Sequence, residues 1–158
     1  MSSSLPKPRP LVGFLADDRL SEETKAILRA AAAETTRLDH RYIGGEHLLI
    51  ALIASDGPTG QTFREAGATA EQARSRVEFI VPHEPPFMLL KEMNVGPRLI
   101  AMIEDAAEVA ASLETTAEAP DLALALLREH ASIPSRVLDE CGVNTRTLAQ
   151  RLRLLQRD

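Results

Sequence analysis

Along the chain, apolar residues recur at helical steps, and proline, glycine or a capping side chain breaks the pattern at intervals. Ser21 is an N-cap with Glu22 and Glu23 in the turn behind it, which predicts a helix to about Leu38. Its expected stripe is Ala26, Ile27, Ala30, Ala31, Glu34 and Leu38, small enough for neighbouring helices to approach closely. Asp39-His40-Arg41 breaks this helix. Tyr42-Ile43-Gly44-Gly45-Glu46-His47-Leu48-Leu49 then predicts a tight turn opening into a short apolar helix to about Ala54. Pro58 opens a third helix, which carries Phe63 and stops at Gly67. Thr69-Ala70-Glu71-Gln72 has the form of a capping box and starts a fourth, to about Val81. Pro82, Pro85 and Pro86 interrupt helix, so residues 82–95 read as a linker with room for one short turn at Phe87 to Met93.

The same plan then runs again. Pro97 opens a fifth helix with Ile100, Ile103, Ala106, Ala107 and Ala110 on its apolar side. Pro120 opens a sixth, crowded with Leu122, Leu124, Leu126 and Leu127. Pro134 opens a seventh, which carries Val137 and Leu138 and stops at Cys141-Gly142. Asn144 caps an eighth with Leu148, Leu152 and Leu155 at helical steps. Leu48 to Ile53 aligns with Leu122 to Leu127, and Phe63 to Gly67 with Leu138 to Gly142. The expected architecture is all-α: eight helices as two pseudo-twofold-related four-helix repeats, residues 19–81 and 96–158. Residues 1–18 precede them as a flexible tail whose apolar part, Leu11 to Leu15, can lie against the body. Each repeat is too small for a secure core of its own, so the two are expected to pack as one domain.

Composition narrows the function classes. The chain has 158 residues, a formal net charge of −5 and no run of Lys or Arg, which speaks against nucleic-acid or anionic-membrane binding. No apolar run is long enough to span a bilayer. The single cysteine, Cys141, suits a reducing cytoplasmic setting and a buried, inert thiol. Gly57-Pro58-Thr59-Gly60-Gln61-Thr62 faintly resembles a phosphate-binding loop, but no Lys follows Gly60 and no strand precedes it. The four histidines, His40, His47, His83 and His130, have no metal-ligand spacing. No nucleophile, base and orienter can be placed together, so neither a catalytic residue, a metal nor a cofactor is expected.

The turn at residues 42–49 is the candidate site. Two glycines, a carboxylate in the first helical turn and an apolar anchor suit capture of a small cationic or peptide feature. Glu46 has a second reading, as a residue that only complements the helix dipole, worth ~0.3–1 kcal/mol. Phe14, Phe79, Phe87 and Met88 could dock a partner peptide or cover the seam between the repeats.

Motif, order and spacing over roughly residues 19–157 resemble the Clp N-terminal domain, or Clp repeat, of the AAA+ unfoldase subunits ClpA, ClpB and ClpC, with ClpC the most similar. The family turn is close to YIGTEHLL; this chain has Tyr42-Ile43-Gly44-Gly45-Glu46-His47-Leu48-Leu49. Val95-Gly96-Pro97-Arg98 is similar to the start of the second repeat, and Ser135-Arg136-Val137-Leu138 with Gly142-Val143 to its tail. The resemblance implies a non-catalytic module that binds substrates, adaptor proteins or peptide ligands and modulates Clp unfoldase and protease activity, here expected without its AAA+ motor. It also implies that Glu46, beside Gly44 and Gly45, pairs with the guanidinium of a phosphorylated arginine while helix N-termini hold the phosphate. Ser21 and Glu22 match the start of the first helix and are expected close by. In the second copy, Glu118-Ala119-Pro120-Asp121 replaces the family's Gly-Thr-Glu-His, so a second site at Pro120 and Asp121 is expected to be impaired. Gly45 in place of Thr is expected to alter the first. The alternative is a structural or regulatory interaction domain that has lost client binding.

Overall fold

Short capping side chains and first-turn prolines start the helices, and a few left-handed residues stop them. The computed structural model of the chain describes residues 7–84, 93–129 and 131–156. A strand β1 (Arg9–Pro10) and a five-residue helix α1 (Leu11–Leu15) come first. Helix α2 (Glu22–Arg37) begins where the Thr24 N–H donates to Ser21 Oγ. Strand β2 (Tyr42–Ile43) leads into α3 (Gly45–Ala54) and α4 (Pro58–Glu65). Then α5 (Ala70–Ile80) starts where the Gln72 N–H donates to Thr69 Oγ1. After β3 (Asn94–Val95), the order repeats as α6 (Pro97–Ser112), α7 (Ala119–Leu127), α8 (Ile133–Glu140) and α9 (Thr145–Arg153).

The two halves match in detail. Helices α2 and α6 each have 16 residues, and α4 and α8 each have 8. Asp39 and Glu114, which follow α2 and α6, both take positive φ, 55° and 58°. Gly67 and Gly142, which follow α4 and α8, do the same at 109° and 79°, where a Cβ would be strained. All eight expected helices are present, as α2 to α9.

Helices α3 and α7 are the centre of the molecule. Ile50, Leu52 and Ile53 on α3, and Leu122 and Leu126 on α7, are buried almost completely. A helix that is apolar all round must be covered on every side. Four small helices cannot do this, so α3 also packs on α7 and α8, and α7 on α4. Seams between α5 and α8 and between α4 and α9 complete the covering. An ion pair between Arg151 and Glu65 closes the α4–α9 seam at its exposed edge.

Main-chain pairing crosses between the repeats as well. The small sheet has the order β1-β3-β2, with β1 antiparallel and β2 parallel to β3. Ile43, ahead of α3, is in register with Val95, ahead of α6, and the Gly96 N–H donates to the Ile43 carbonyl at 2.8 Å. The counterpart is an isolated parallel bridge between Leu20, ahead of α2, and Ala117, ahead of α7. There the Ser21 N–H donates to the Ala117 carbonyl at 3.0 Å. Each repeat's first helix therefore starts beside the turn of the other repeat.

Several local expectations are corrected. The buried residues of α2 are Thr24, Lys25, Ile27, Leu28, Ala31 and Thr35, with Leu38 just after it; Ala26 and Ala30 are exposed. Alanine is too small to set the phase, and Leu28 sets it. The stretch expected to be a tail holds β1 and α1 at its described end. Leu11 and Phe14 are buried there, and Arg9 and Arg19 both pair with Glu104 of α6. Those two guanidiniums hold Glu104 below the usual carboxylate range. Within the stretch 82–95, Asn94 and Val95 form β3. The short turn expected at Phe87 to Met93, with Phe87 and Met88, lies almost wholly outside the described residues. Phe79 is 78% exposed and covers no seam. Pro58 to Glu65 is helix, so the faint phosphate-loop pattern is no loop.

Gly60 shows how closely α3 and α4 are fitted. A Cβ there would lie 2.1 Å from the Ser55 carbonyl oxygen, which Arg64 Nη1 also binds at 2.9 Å. We expect Gly60→Ala to destabilise the fold by about 1–3 kcal/mol in urea denaturation. Gly13→Ala, with nothing within 4 Å of the new carbon, should be neutral or stabilising. Equal midpoints for the two variants would contradict this packing.

Candidate functional site

Crossed pairing of β2 and β3 brings the starts of three helices to one cavity of about 610 Å³. Gly44, Gly45 and Glu46 enter from α3, Gly96, Pro97 and Arg98 from α6, and Ser132, Ile133 and Pro134 from α8. Each start presents the positive end of a helix dipole, although Pro97 and Pro134 supply no N–H, and the Gly44, Gly96 and Ser135 N–H groups already donate to His47 Nδ1, the Ile43 carbonyl and Ser132 Oγ. Arg98 is exposed at the rim, with no ion-pair partner among the described residues. Ala131, also in the lining, has φ 60°, a left-handed conformation that costs a non-glycine residue about 1–3 kcal/mol.

Glu46 is the charged group at the inner wall. Its carboxylate folds back over Gly44, where an added Cβ would meet Glu46 Oε1 at 2.7 Å. The side chain is partly buried, and no cation pairs with it among the described residues. Desolvation pushes its pKa up; its own backbone N–H and the nearness of His40 offset only part of that. The carboxylate is therefore held in a corner that disfavours its charge, beside an opening that would admit a cation. A Glu that only serves the helix dipole does not require burial.

A histidine relay supports this corner from behind. The Gly44 N–H donates to His47 Nδ1 at 2.9 Å, so the neutral ring carries its proton on Nε2. Nε2 then donates to His40 Nδ1 at 2.7 Å, and His40 Nε2–H points to the Val81 carbonyl at 3.3 Å. Both rings are buried. His47 holds the third helical position, where its acceptor nitrogen closes a capping box on the Gly44 N–H. Among the described residues, no group of three metal-type side chains gathers anywhere.

The second turn is built on the same frame but used differently. Asp121 aligns with His47, and Pro120 with Glu46. The Glu118 N–H donates to Asp121 Oδ2 at 2.9 Å, and Gln156 Nε2 donates to Oδ1 at 2.6 Å. Asp121 is buried and spent on structure. Pro120 supplies neither a carboxylate nor an N–H.

Of the sequence-derived site residues, Gly44, Gly45 and Glu46 come together. Ser21 and Glu22 do not line their cavity; through the Leu20–Ala117 bridge they sit at the Glu118 corner. The places expected for them are taken by Gly96 and Pro97, with Arg98 behind. Sequence reasoning did not place Arg98, Ser132 and Pro134 at this cavity. Val95-Gly96-Pro97-Arg98 was visible as a helix start, but only the crossed pairing puts it opposite Glu46. The Gly45 position is also shaped from the other repeat: a Cβ there would lie 3.1 Å from Leu126 Cδ1 and 3.2 Å from Pro134 Cγ.

Residues 19–121 match the family model described as the Clp repeat (R) N-terminal domain. A probable ATP-dependent Clp protease ATP-binding subunit from Chlamydia pneumoniae is 25% identical over 85% of this chain and 16% of its own length. The chloroplastic chaperone protein ClpC1 of Oryza sativa subsp. japonica is 29% identical over 80% of this chain and 14% of its own. The chain thus spans about one-sixth of the length of the relatives it matches. Among solved structures, the N-terminal domain of ClpD from Arabidopsis thaliana superimposes with TM-score 0.70 at 20% identity, over 89% of this chain and 96% of that one. The N-domain of ClpV from Vibrio cholerae gives 0.66 at 20%, over 98% and 94%. A ClpV N-domain solved with a VipB peptide gives 0.60 at 19%, over 96% and 97%. These likenesses establish the fold. No described helix is long and apolar enough to cross a membrane.

Burial also sets the acid behaviour of the corner. It pushes the His47 pKa down from 6.5 to about 3, with His40 adding to the shift. Between those values the unfolded chain binds a proton that the folded chain excludes, so stability falls as pH drops through this window. His47→Gln keeps an acceptor for the Gly44 N–H and removes the titration. We expect its denaturation free energy to fall less steeply than that of the unaltered protein as pH drops from 6.5 towards 3. Identical slopes would show that His47 carries no such load.

Proposed function

We propose, from the premise that this chain belongs to the Clp repeat N-terminal domain family, that it is a docking module whose Glu46 cavity holds a cationic group of a client, adaptor or peptide ligand for Clp unfoldase and protease components. The observation that carries this reading is the partly buried carboxylate of Glu46, unpaired with any cation among the described residues and facing an open cavity. A guanidinium fits it in both charge and planar geometry. A phosphoryl group on that guanidinium would reach the α6 and α8 N-termini and Arg98, which supply N–H donors and positive charge. Glu84 and Glu129 also line the cavity and add to its preference for a cation. The work done is recognition: ligand binding delivers a client or competes for it by mass action, without chemical turnover. The ClpV N-domain complex with a VipB peptide supports peptide binding as a use of this fold.

Specificity for phosphorylated over plain arginine follows from the same arrangement. Glu46 alone answers the guanidinium, whereas the helix starts and Arg98 answer only the phosphate. With Asp121 engaged by Glu118 and Gln156, the second corner contributes little, so one ligand per chain is the expected stoichiometry.

Calorimetry with phosphoarginine and with an arginine-containing peptide tests this. We expect one site, lost by about tenfold or more in Glu46→Gln, and unchanged in Asp121→Asn. Because ionised Glu46 is disfavoured in the folded state, its contribution falls as pH rises through its raised pKa. Glu46→Gln should therefore unfold at pH 7 no more easily than the unaltered protein. Absence of affinity for either ligand, or equal affinity in Glu46→Gln, would favour an interaction domain that has lost client binding.

A further inference from the structure

A second cavity, of about 510 Å³, lies between the C-terminal half of α7 and α9. It shares no lining residue with the Glu46 cavity. Its floor is apolar: Leu124 and Leu127 from α7 and Ala149 from α9. Its rim is cationic: Arg128 on one side, Arg146 and Arg153 on the other, all exposed. On α9, Arg146, Ala149 and Arg153 follow the spacing of one helix face, so the small residue leaves an opening between two guanidiniums. The α9 start, where the Thr147 N–H donates to Asn144 Oδ1, lies at the same groove, which Asn144 and Thr145 also line.

The charge is what sets this groove apart. The chain carries 23 acidic and 18 basic residues, yet among the described residues no carboxylate lines the groove. Many other arginines are engaged: Arg19 with Asp17 and Glu104, Arg74 with Glu34, and Arg136 with Glu140. Arg146 and Arg153 have no carboxylate partner among the described residues, and Arg128 has only an exposed pair with Asp105 at 3.1 Å. On an acidic protein, three arginines around an apolar slot make a local inversion of sign.

We propose that this groove is a second docking surface, for an acidic peptide segment of a protein partner that places an apolar side chain between α7 and α9. Leu124, Leu127 and Ala149 receive that side chain, and Arg128, Arg146 and Arg153 pair with carboxylates on either side of it. The net charge of −5 repels extended polyanions, which favours a short acidic segment over nucleic acid or an anionic bilayer. The groove is independent of Glu46, so one chain can hold two features of opposite charge at once.

The probe is a fluorescein-labelled peptide of alternating glutamate and leucine, with the lysine–leucine peptide as control. Fluorescence anisotropy gives affinity, and amide chemical shifts give location. We expect saturable binding of the acidic peptide alone, weakening as salt rises, with shifts at Leu127, Ala149 and Arg153. Arg146→Glu combined with Arg153→Glu, both exposed, should weaken it by about tenfold or more while the thermal midpoint is retained. No saturable binding, shifts confined to the Glu46 cavity, or equal affinity in the folded double variant would overturn the proposal. Equally tight, arginine-dependent binding of an RNA oligonucleotide or of anionic vesicles would also overturn it. Apart from shifts at the Glu46 cavity, which would put an anion where the proposed function needs a cation, these outcomes leave phosphoarginine binding at Glu46 untouched.

Discussion

Two main-chain hydrogen bonds, from Gly96 to Ile43 and from Ser21 to Ala117, hold each repeat's first helix against the other repeat's turn. The crossing follows from the core. Helices α3 and α7 are apolar on every side, and a four-helix unit cannot cover such a helix alone. Once the units share their central helices, the chain segments entering α2 and α6 run past the partner repeat. Short parallel bridges satisfy the backbone there. Every property of the cavity depends on that crossing, because it sets the α6 start opposite the Glu46 turn.

The corner so formed is costly to a charge and well framed for a ligand. His47 and His40 fill the wall behind Glu46 and lock the Gly44 backbone by a single chain of hydrogen bonds. They lend Glu46 no hydrogen bond of their own. Beyond the contact with its own backbone N–H, the carboxylate has acceptor sites left for something entering from the cavity. The counterpart corner shows the opposite outcome on the same backbone: Asp121 closes the capping box and accepts from Gln156, and that corner is structurally satisfied. One duplicated frame thus yields one open and one closed position.

Most of the architecture was legible because helix ends carry local chemistry. Ser21, Thr69 and Asn144 cap as their side chains dictate, and Gly67 and Gly142 stop helices in a conformation other residues resist. The duplication was legible from Leu48–Ile53 against Leu122–Leu127. Strands of two residues carry no periodicity, so β1, β2 and β3 were not legible. Without them the positions of Ser21, Glu22 and Arg98 relative to Glu46 could not be derived. The phase of α2 was misread because its stripe was counted through alanines, which tolerate either face. At the second turn, the missing carboxylate and N–H at Pro120 were legible, while the structural use of Asp121 needed Gln156, 35 residues away.

The central claim is that a desolvated carboxylate waits for a cation at the turn between two repeats. Its most direct test is a carbon-13 NMR titration of the Glu46 carboxyl group, with the protein free and then saturated with phosphoarginine. The account predicts a midpoint above the ordinary 4.5 in the free protein, and a fall to lower pH when the guanidinium arrives. An ordinary midpoint in the free protein that ligand leaves unmoved would contradict it.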